Sequence, residues 1–567
     1  MVAGRVGGGR WSAIGLAILA GALVAIRLNE PGWFDNEGRF AEVAREMVAT
    51  GDWVTPRVNG FPLLTKPPLT QWLAAIVFSI AGSTEWARLV AVFAAMATVV
   101  LTCRLGARLY GVRTGLVGGL MLVTMAGFVF EARTLRPDCL VVLTVTGAIH
   151  CWHVAEFGAA TRRTRWLVVM YVALGMGMLA KGLVPPVLAA IPIGVATTGR
   201  HGIDGVRRLR PLLGLAVMAA VVLPWHVAAS LANPGFAWDY VVNQHLLFAL
   251  DRKEPRDSEG DTLGFFWQAF AGRALPWVAF VPFTLAEAVA EVRRTAGGGT
   301  ALLWAWIAGT LGLFSLTPSR LEHYALPALP AVALLAARAL ACARERGVGS
   351  GLRLWVITLG LAMAGGGVFG LFRGRALAEH AYWLPQAPGL VALVVPAALA
   401  ACWAGLALVV AGVARRADGI VAAGVLGAAP FLAIFVCALI AAESLFSWRP
   451  VARAMERLPV ETEIVFQAPV EYQIVGGLDF YLGRTVTMLE PPGGYTPPTY
   501  LEGRMQGLFI SHEELERRWH SGRAVALVSD PQQRRDAPDG LVPMPYHVFD
   551  RFGDRWVLTN VPVAPAH

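Results

Sequence analysis

Charge is what this chain has least of. Of its 567 residues 15% are Asp, Glu, Lys or Arg and 56% are hydrophobic, whereas soluble domains carry roughly 25% charged side chains; a soluble single-domain enzyme is excluded. Lysine is scarcer still: Lys66, Lys181 and Lys253 are the three in the chain, and the remaining basic side chains, histidine apart, are arginines. The six cysteines lie inside or at the edge of apolar segments, and none follows Cys437. That placement excludes a disulfide scaffold and a CxxC metal site. The C-terminal part has no GxGxxG, P-loop or nucleophile elbow, so nothing there points to nucleotide or esterase chemistry. The formal charge of +9 is spread along the chain, and nucleic acid is not among the expected partners.

Long apolar runs fill most of what remains. Blocks at 11–28, 86–109, 113–132, 137–155, 166–180, 183–198, 211–231, 264–290, 300–316, 323–341, 352–372, 389–413 and 420–445 are long enough to cross a bilayer, some with tilt or kinks. This gives about thirteen transmembrane helices. A shorter block at 67–81 opens with Pro67-Pro68 and reads as half-buried or interfacial. The first block follows Arg5 and Arg10 without a clean cleavage site and is expected to be a retained helix. Arginines gather in alternate loops: 108 and 113, 162–165, 200–210, 293–294, 344–353 and 415–416. By the positive-inside rule that side is cytoplasmic, which puts the C-terminus outside; Arg373 and Arg375 are the exception.

The opposite loops carry the unusual polar residues. Phe34-Asp35-Asn36-Glu37-Gly38-Arg39-Phe40 opens a stretch whose apolar positions Phe40, Val43, Ala44, Met47 and Val48 follow a helical period. A helix this charged belongs at the interface, with Asp35 or Asn36 as its cap and Glu37 favoured in the first turn. Lys66 precedes two prolines that fix the local backbone; it either snorkels to headgroups or meets a phosphate. The same two readings apply to Lys181-Gly182 and to Arg320. Arg133, Arg136 and Asp138 cluster at the outer end of one span, where Asp138 is a cap or an ion-pair partner. Trp225-His226 and Asn243-Gln244-His245 flank a loop rich in belt aromatics, and 252–261 reads as a mobile lid.

From Phe446 onward alternating segments such as Glu463–Phe466 and Ala524–Val528, a helix-like Ser511–His520 and turns at Pro491–Pro498 predict a small soluble α/β domain. The expected division is therefore a membrane domain over 1–445 and an outer domain over 446–567.

Seven separated motifs then carry a likeness: Asn36–Glu42, Gly51-Asp52-Trp53-Val54-Thr55-Pro56, Lys66-Pro67-Pro68-Leu69, Arg136-Pro137-Asp138, Lys181-Gly182, Pro224-Trp225-His226 with Asn243-Gln244-His245, and Arg320 with Tyr324-Ala325-Leu326-Pro327. Over 1–445 the chain resembles the polyprenyl-phosphate-sugar glycosyltransferases of the GT-C fold, the group containing bacterial lipid A aminoarabinose transferases and protein O-mannosyltransferases. The resemblance implies a polyprenyl-phosphate-sugar donor, attack opposite the leaving phosphate with inversion of the anomeric centre, and transfer to lipid A, another lipid or a glycan at the periplasmic face of the inner membrane. It implies Asp35 and Asp138 as catalytic acids, and Lys66, Arg39, Arg320 and Tyr324 as donor-phosphate contacts. Asn36, Glu37, Arg136, Lys181, His226 and His245 would line the cavity. No cofactor is required; a divalent metal has no support of its own, because Thr65 stands where the aminoarabinose transferases often carry an acid. Asn36, Gln244 and Phe248 are further departures. A lipid-linked sugar flippase or a protein O-glycosyltransferase is the alternative; a flippase needs ionisable residues within several spans, and here they sit at span ends.

Overall fold

The computed structural model describes residues 6–248, 250, 252–254, 260–295, 298–381, 384–467, 472–490, 498–501, 509–529 and 542–562. The turns expected at 491–497, residues 255–259 of the 252–261 segment and the side chain of Asp35 lie outside the described residues. Every one of the thirteen apolar blocks falls on helix. Among the described residues eight helices are long and apolar enough to cross a membrane, including Asp138–Phe157, Pro211–Ala232 and Ala417–Ala441. Two blocks are broken: Val112–Leu122 meets Ala126–Ala132 at 70°, and Leu263–Arg273 meets Trp277–Arg293 at 99°, where Pro276 cannot continue a helix. The protein is a multi-span membrane protein.

Enclosure sorts the spans. The best apolar windows of Asp138–Phe157 and Glu322–Arg346 are 78% and 83% buried, against 17–28% for the three spans between Ser350 and Ala441, so the first pair forms the centre and the last three turn outward to lipid. Two of these outer helices, Ser350–Phe369 and Val394–Ala414, pack backbone to backbone. A Cβ on Gly360 would lie 2.6 Å from the Gly405 carbonyl, and one on Gly405 would lie 2.4 Å from that of Gly360. Small residues supply this close approach where lipid gives no hydrophobic drive.

The Asp35–Thr50 helix buries Phe40, Val43, Ala44 and Met47 as its periodicity predicts, while Val48 is exposed. Its cap differs from expectation. Phe34 is the N-cap residue, and the Glu37 carboxylate accepts from the Phe34 amide at 3.0 Å, so the reciprocal half of a capping box does the work that Asp35 or Asn36 was assigned. Nor does the helix lie open at an interface. It is covered by the short helix Gly476–Leu482, so closely that a Cβ on Gly38 would lie 2.3 Å from the Gly477 Cα.

The C-terminal region holds a six-stranded sheet. In spatial order its strands are Phe509–Ile510, Thr487–Leu489, Glu463–Gln467, Val525–Ser529, Arg555–Thr559 and His547–Phe552. The first four run parallel and the last two join antiparallel. His512–Trp519, capped by Ser511, covers one face through Leu515 and Trp519. The other face, with Phe466, Met488, Ala526 and Val528, is continuous with the core of the membrane helices. Polar bonds sew the two regions together. Asn59, buried at φ +52°, donates to the Val486 carbonyl and accepts from its amide, both at 3.0 Å; the Tyr500 hydroxyl accepts from the Leu64 amide at 3.3 Å; and the Tyr481 hydroxyl donates to Glu85 at 2.7 Å.

Candidate active site

A cavity of about 210 Å³ opens between five pieces of chain: the Thr65–Pro67 loop, the Lys181–Val184 turn, the Tyr240–Phe248 segment, the end of Gly299–Leu316, and Tyr324. Each is positioned by local chemistry. Lys66 is held by the hairpin Arg57–Val58/Phe61–Pro62 on one side and by the prolines that start Leu69–Ala81 on the other. Lys181 ends the helix Arg163–Lys181, and Gly182 reverses the chain at φ +66°. A Cβ there would meet His245 Nε2 at 2.9 Å and the Tyr240 hydroxyl at 3.1 Å, so glycine is needed both for the backbone and for the approach.

Lys181 joins two groups. Its Nζ lies 2.6 Å from Asp138 Oδ1 and 4.5 Å from the centre of the Tyr324 ring. Asp138, the first residue of its helix with Pro137 at the cap position, also has His323 Nε2 at 4.0 Å. Of the sequence alternatives for Asp138, the ion pair is the one realised. Behind it runs a chain of charges. Glu322 pairs with Arg273 at 2.8 Å and lies 3.6 Å from His323; Arg273 reaches Glu131 at 3.4 Å, and Arg136 lies 3.9 Å from the same carboxylate. Opposite charges alternate through this half-buried network, which is what lets a low-dielectric site keep them.

His245 faces the cavity from the other wall. Its Nδ1 is 2.6 Å from the Tyr240 carbonyl, so that nitrogen carries the proton and Nε2 is the free lone pair in the neutral ring. Burial lowers the imidazole from its usual range; the carbonyl pulls the other way, and the nearby Lys66 ammonium lowers it further. A neutral imidazole follows at neutral pH.

The structure thus brings Lys66, Lys181, His245 and Tyr324 around one cavity with Asp138 behind Lys181. Other predicted residues sit elsewhere. Glu37, fully buried, accepts from Arg88 at 3.0 and 2.7 Å and from the Leu135 amide at 2.6 Å, tying the outer helix to the 133–138 loop. Asn36 is exposed. Arg39 stacks on Phe40 at 5.1 Å and packs against Gly476. Arg320 donates to the carbonyls of Phe314, Asp261 and Ser315. His226 bonds the Val222 carbonyl at 2.9 Å and packs on Tyr240, whose ring it supports. Arg136 is in the charge chain but off the cavity wall.

Sequence reasoning missed Arg88, Arg273, Glu322 and His323. Arg88 had a signal, being an arginine directly before the apolar run that starts at Leu89; it is 1% exposed and also donates to the carbonyls of Leu28, Pro31 and Gly32. Thr65, Gln244 and Phe248, three of the four positions that depart from the expected pattern, all line the cavity. Among the described residues its lining includes no carboxylate, and no three His, Cys, Asp or Glu side chains converge to hold a metal ion.

Comparison with known proteins gives the same architecture. A family model described as dolichyl-phosphate-mannose-protein mannosyltransferase matches residues 65–227. The fold is of the GT-C class. Within that class the chain resembles the aminoarabinose transferases. It is 28% identical over 343 residues to the undecaprenyl phosphate-alpha-4-amino-4-deoxy-L-arabinose arabinosyl transferase 1 of Pseudomonas fluorescens, covering 58% of this chain and 59% of the relative. A Pseudomonas aeruginosa transferase is 28% identical over 362 residues, covering 61% and 63%. The match spans about three fifths of the length of these relatives. The crystal structure of ArnT from Cupriavidus metallidurans bound to undecaprenyl phosphate superposes with a TM-score of 0.77 at 23% identity, over 96% of this chain and 97% of that one.

Proposed function

We propose that the protein is a glycosyltransferase that moves a sugar from a polyprenyl-phosphate-linked donor to a lipid A, other lipid or glycan acceptor. The observation that carries this reading is the placement of Lys66 and Lys181 on one cavity. Breaking the bond between the sugar and the lipid phosphate leaves negative charge on that phosphate, and preorganised cations are what stabilise it. Lys66 and Lys181 supply them, and Asp138 positions Lys181 instead of serving as a base while that ion pair holds. Attack by the acceptor oxygen opposite the leaving phosphate inverts the anomeric centre. A phosphate acceptor is already an anion; a hydroxyl acceptor needs a base, for which Asp35 is the candidate in the sequence. The relatives named above carry aminoarabinosyl and undecaprenyl phosphate in their names, which supports a lipid-linked donor in a bacterial inner membrane.

The cavity lies at the end of the bundle away from the basic loops, which supports a periplasmic site. We assign residues 1–445 to catalysis and 446–567 to a periplasmic region that braces the loop carrying Lys66. The test is transfer of radiolabel from a panel of polyprenyl-phosphate sugars into membrane lipid. Wild type is expected to transfer label, and Lys66→Ala to lose at least 100-fold, on the order of the electrostatic contributions seen at such sites. Consumption of no donor, or normal transfer by Lys66→Ala, would overturn the assignment.

A further inference from the structure

A second cavity, of about 370 Å³, lies at the opposite end of the same helices. Its polar wall is Arg104 and Arg108, one turn apart on Leu89–Tyr110, facing His150 on Asp138–Phe157. Leu116, Val154 and Trp166 make the apolar wall. Twelve residues of helix separate His150 from Asp138, or roughly 18 Å at 1.5 Å per residue. The two cavities are therefore distinct, and this inference does not rest on the proposed transfer reaction.

Membrane arginines ordinarily need no ligand, because they snorkel to headgroups. Three observations go beyond snorkelling here. First, among the described residues neither Arg104 nor Arg108 has a carboxylate within ion-pair distance; the nearby acid of this helix end, Glu156, is engaged by Arg163 at 3.0 Å and His201 at 2.5 Å, with Arg208 at 3.5 Å. Second, His150 is 6% exposed and its Nδ1 has no hydrogen-bond partner, a cost that a native interior normally avoids. Third, the Arg108 Nε bonds His153 Nδ1 at 3.2 Å, which anchors one edge of the guanidinium at the cavity wall.

We propose that this cavity binds the phosphate group of a membrane lipid from the leaflet at the basic end of the bundle. Two guanidiniums presented together match the oxygens of a phosphate, and His150 adds a third polar group. The apolar wall suits the glycerol and acyl stems of a lipid, whereas a free ion would use none of it. The occupant is thus a phosphate-bearing lipid, not inorganic phosphate.

Lipid retention by the purified full chain in a neutral detergent, followed by native mass spectrometry, tests this. The probes are dioleoylphosphatidylglycerol, dioleoylglycerol without a phosphate, and inorganic phosphate. Phosphatidylglycerol should bind, and the Arg104→Gln/Arg108→Gln variant should bind it about tenfold more weakly or worse, the loss expected for charge-assisted hydrogen bonds. Leu116→Trp fills the cavity without altering a charge and should weaken binding similarly. Arg113→Gln, at an exposed pair with Asp418, should leave it unchanged. Equal retention by wild type and both cavity variants would overturn the site. Dioleoylglycerol binding as tightly as phosphatidylglycerol would overturn the phosphate contact, and full displacement of the lipid by an equal concentration of inorganic phosphate would overturn the lipid.

Discussion

Replacing Lys181 by methionine would strand the Asp138 carboxylate, since its nearest cation sits 2.6 Å away and both side chains are about nine-tenths buried. Removing one partner of such a pair costs roughly 3–5 kcal/mol, so Lys181→Met is expected to lower the melting temperature in detergent. Adding Asp138→Asn should restore most of that stability but no sugar transfer, a split that separates the cation's chemical role from its structural one. Gly182→Ala meets a different obstacle, the positive φ together with the His245 and Tyr240 side chains. Strain of about 1–3 kcal/mol should appear as lost transfer with the chain still folded, read by activity against a melting curve. At this scale the sequence showed the residue types and missed their partners. Lys66, Lys181, His245 and Tyr324 were legible because rare polar residues at span ends stand out. Arg320 stood out equally, yet its donors go to backbone carbonyls, which no side-chain pattern encodes. Glu37 was legible as important but not as the partner of Arg88, fifty-one positions away.

The junction of the Asp35–Thr50 and Gly476–Leu482 helices gathers Glu42, Glu46 and Asp479, with Arg45 paired to Glu42 at 2.6 Å. Burial pushes Glu46 up to about 7, although the Gly60 amide opposes this, and Arg57 is the other cation in reach. Asp479, fully buried with both oxygens unpartnered, is raised well above its usual range, chiefly by burial and then by Glu42 and Glu46. A carboxyl raised in the folded state keeps its proton while the unfolded one loses it. Stability at this junction is therefore full below about pH 4.5, the ordinary Glu value, and falls as pH rises to about 7. For Glu46 alone the change is on the order of 3 kcal/mol. Amide exchange in Gly476–Leu482 should slow as pH is lowered from 7 to 5 after correction for intrinsic rates, and Glu46→Gln should flatten the trend. Helix positions were the best-read feature of the sequence, because apolar length alone decides them. The 99° break after Arg273 was read as one span, since hydropathy runs across it undisturbed.

Across the whole molecule, one hydrophobic core runs from the membrane helices into the sheet. Trp448 sits at that passage with no exposure, edge-on to Phe466 at 5.4 Å and under the Arg555 guanidinium at 4.0 Å. Trp448→Ala should cost about 3–5 kcal/mol and lower the melting of the full chain as a single transition. Two separate transitions, with the membrane part unaffected, would show that the regions fold independently. The sequence pattern changes at Phe446, ahead of the first sheet strand Glu463–Gln467, but the sequence could not show that the strands share a core with the spans, because that contact is made by residues hundreds of positions apart.

Asn59 behaves as an extra length of backbone, offering Val486 the same donor and acceptor that a neighbouring strand would, and Tyr500 clips Leu64 two residues before Lys66. The lysine is thus mounted on the sheet as much as on the bundle. A chimera that exchanged the terminal region for another protein's would lose the shared core and misalign that ammonium together, unless the graft restored both the apolar sheet face and a tyrosine at 500 to meet the loop.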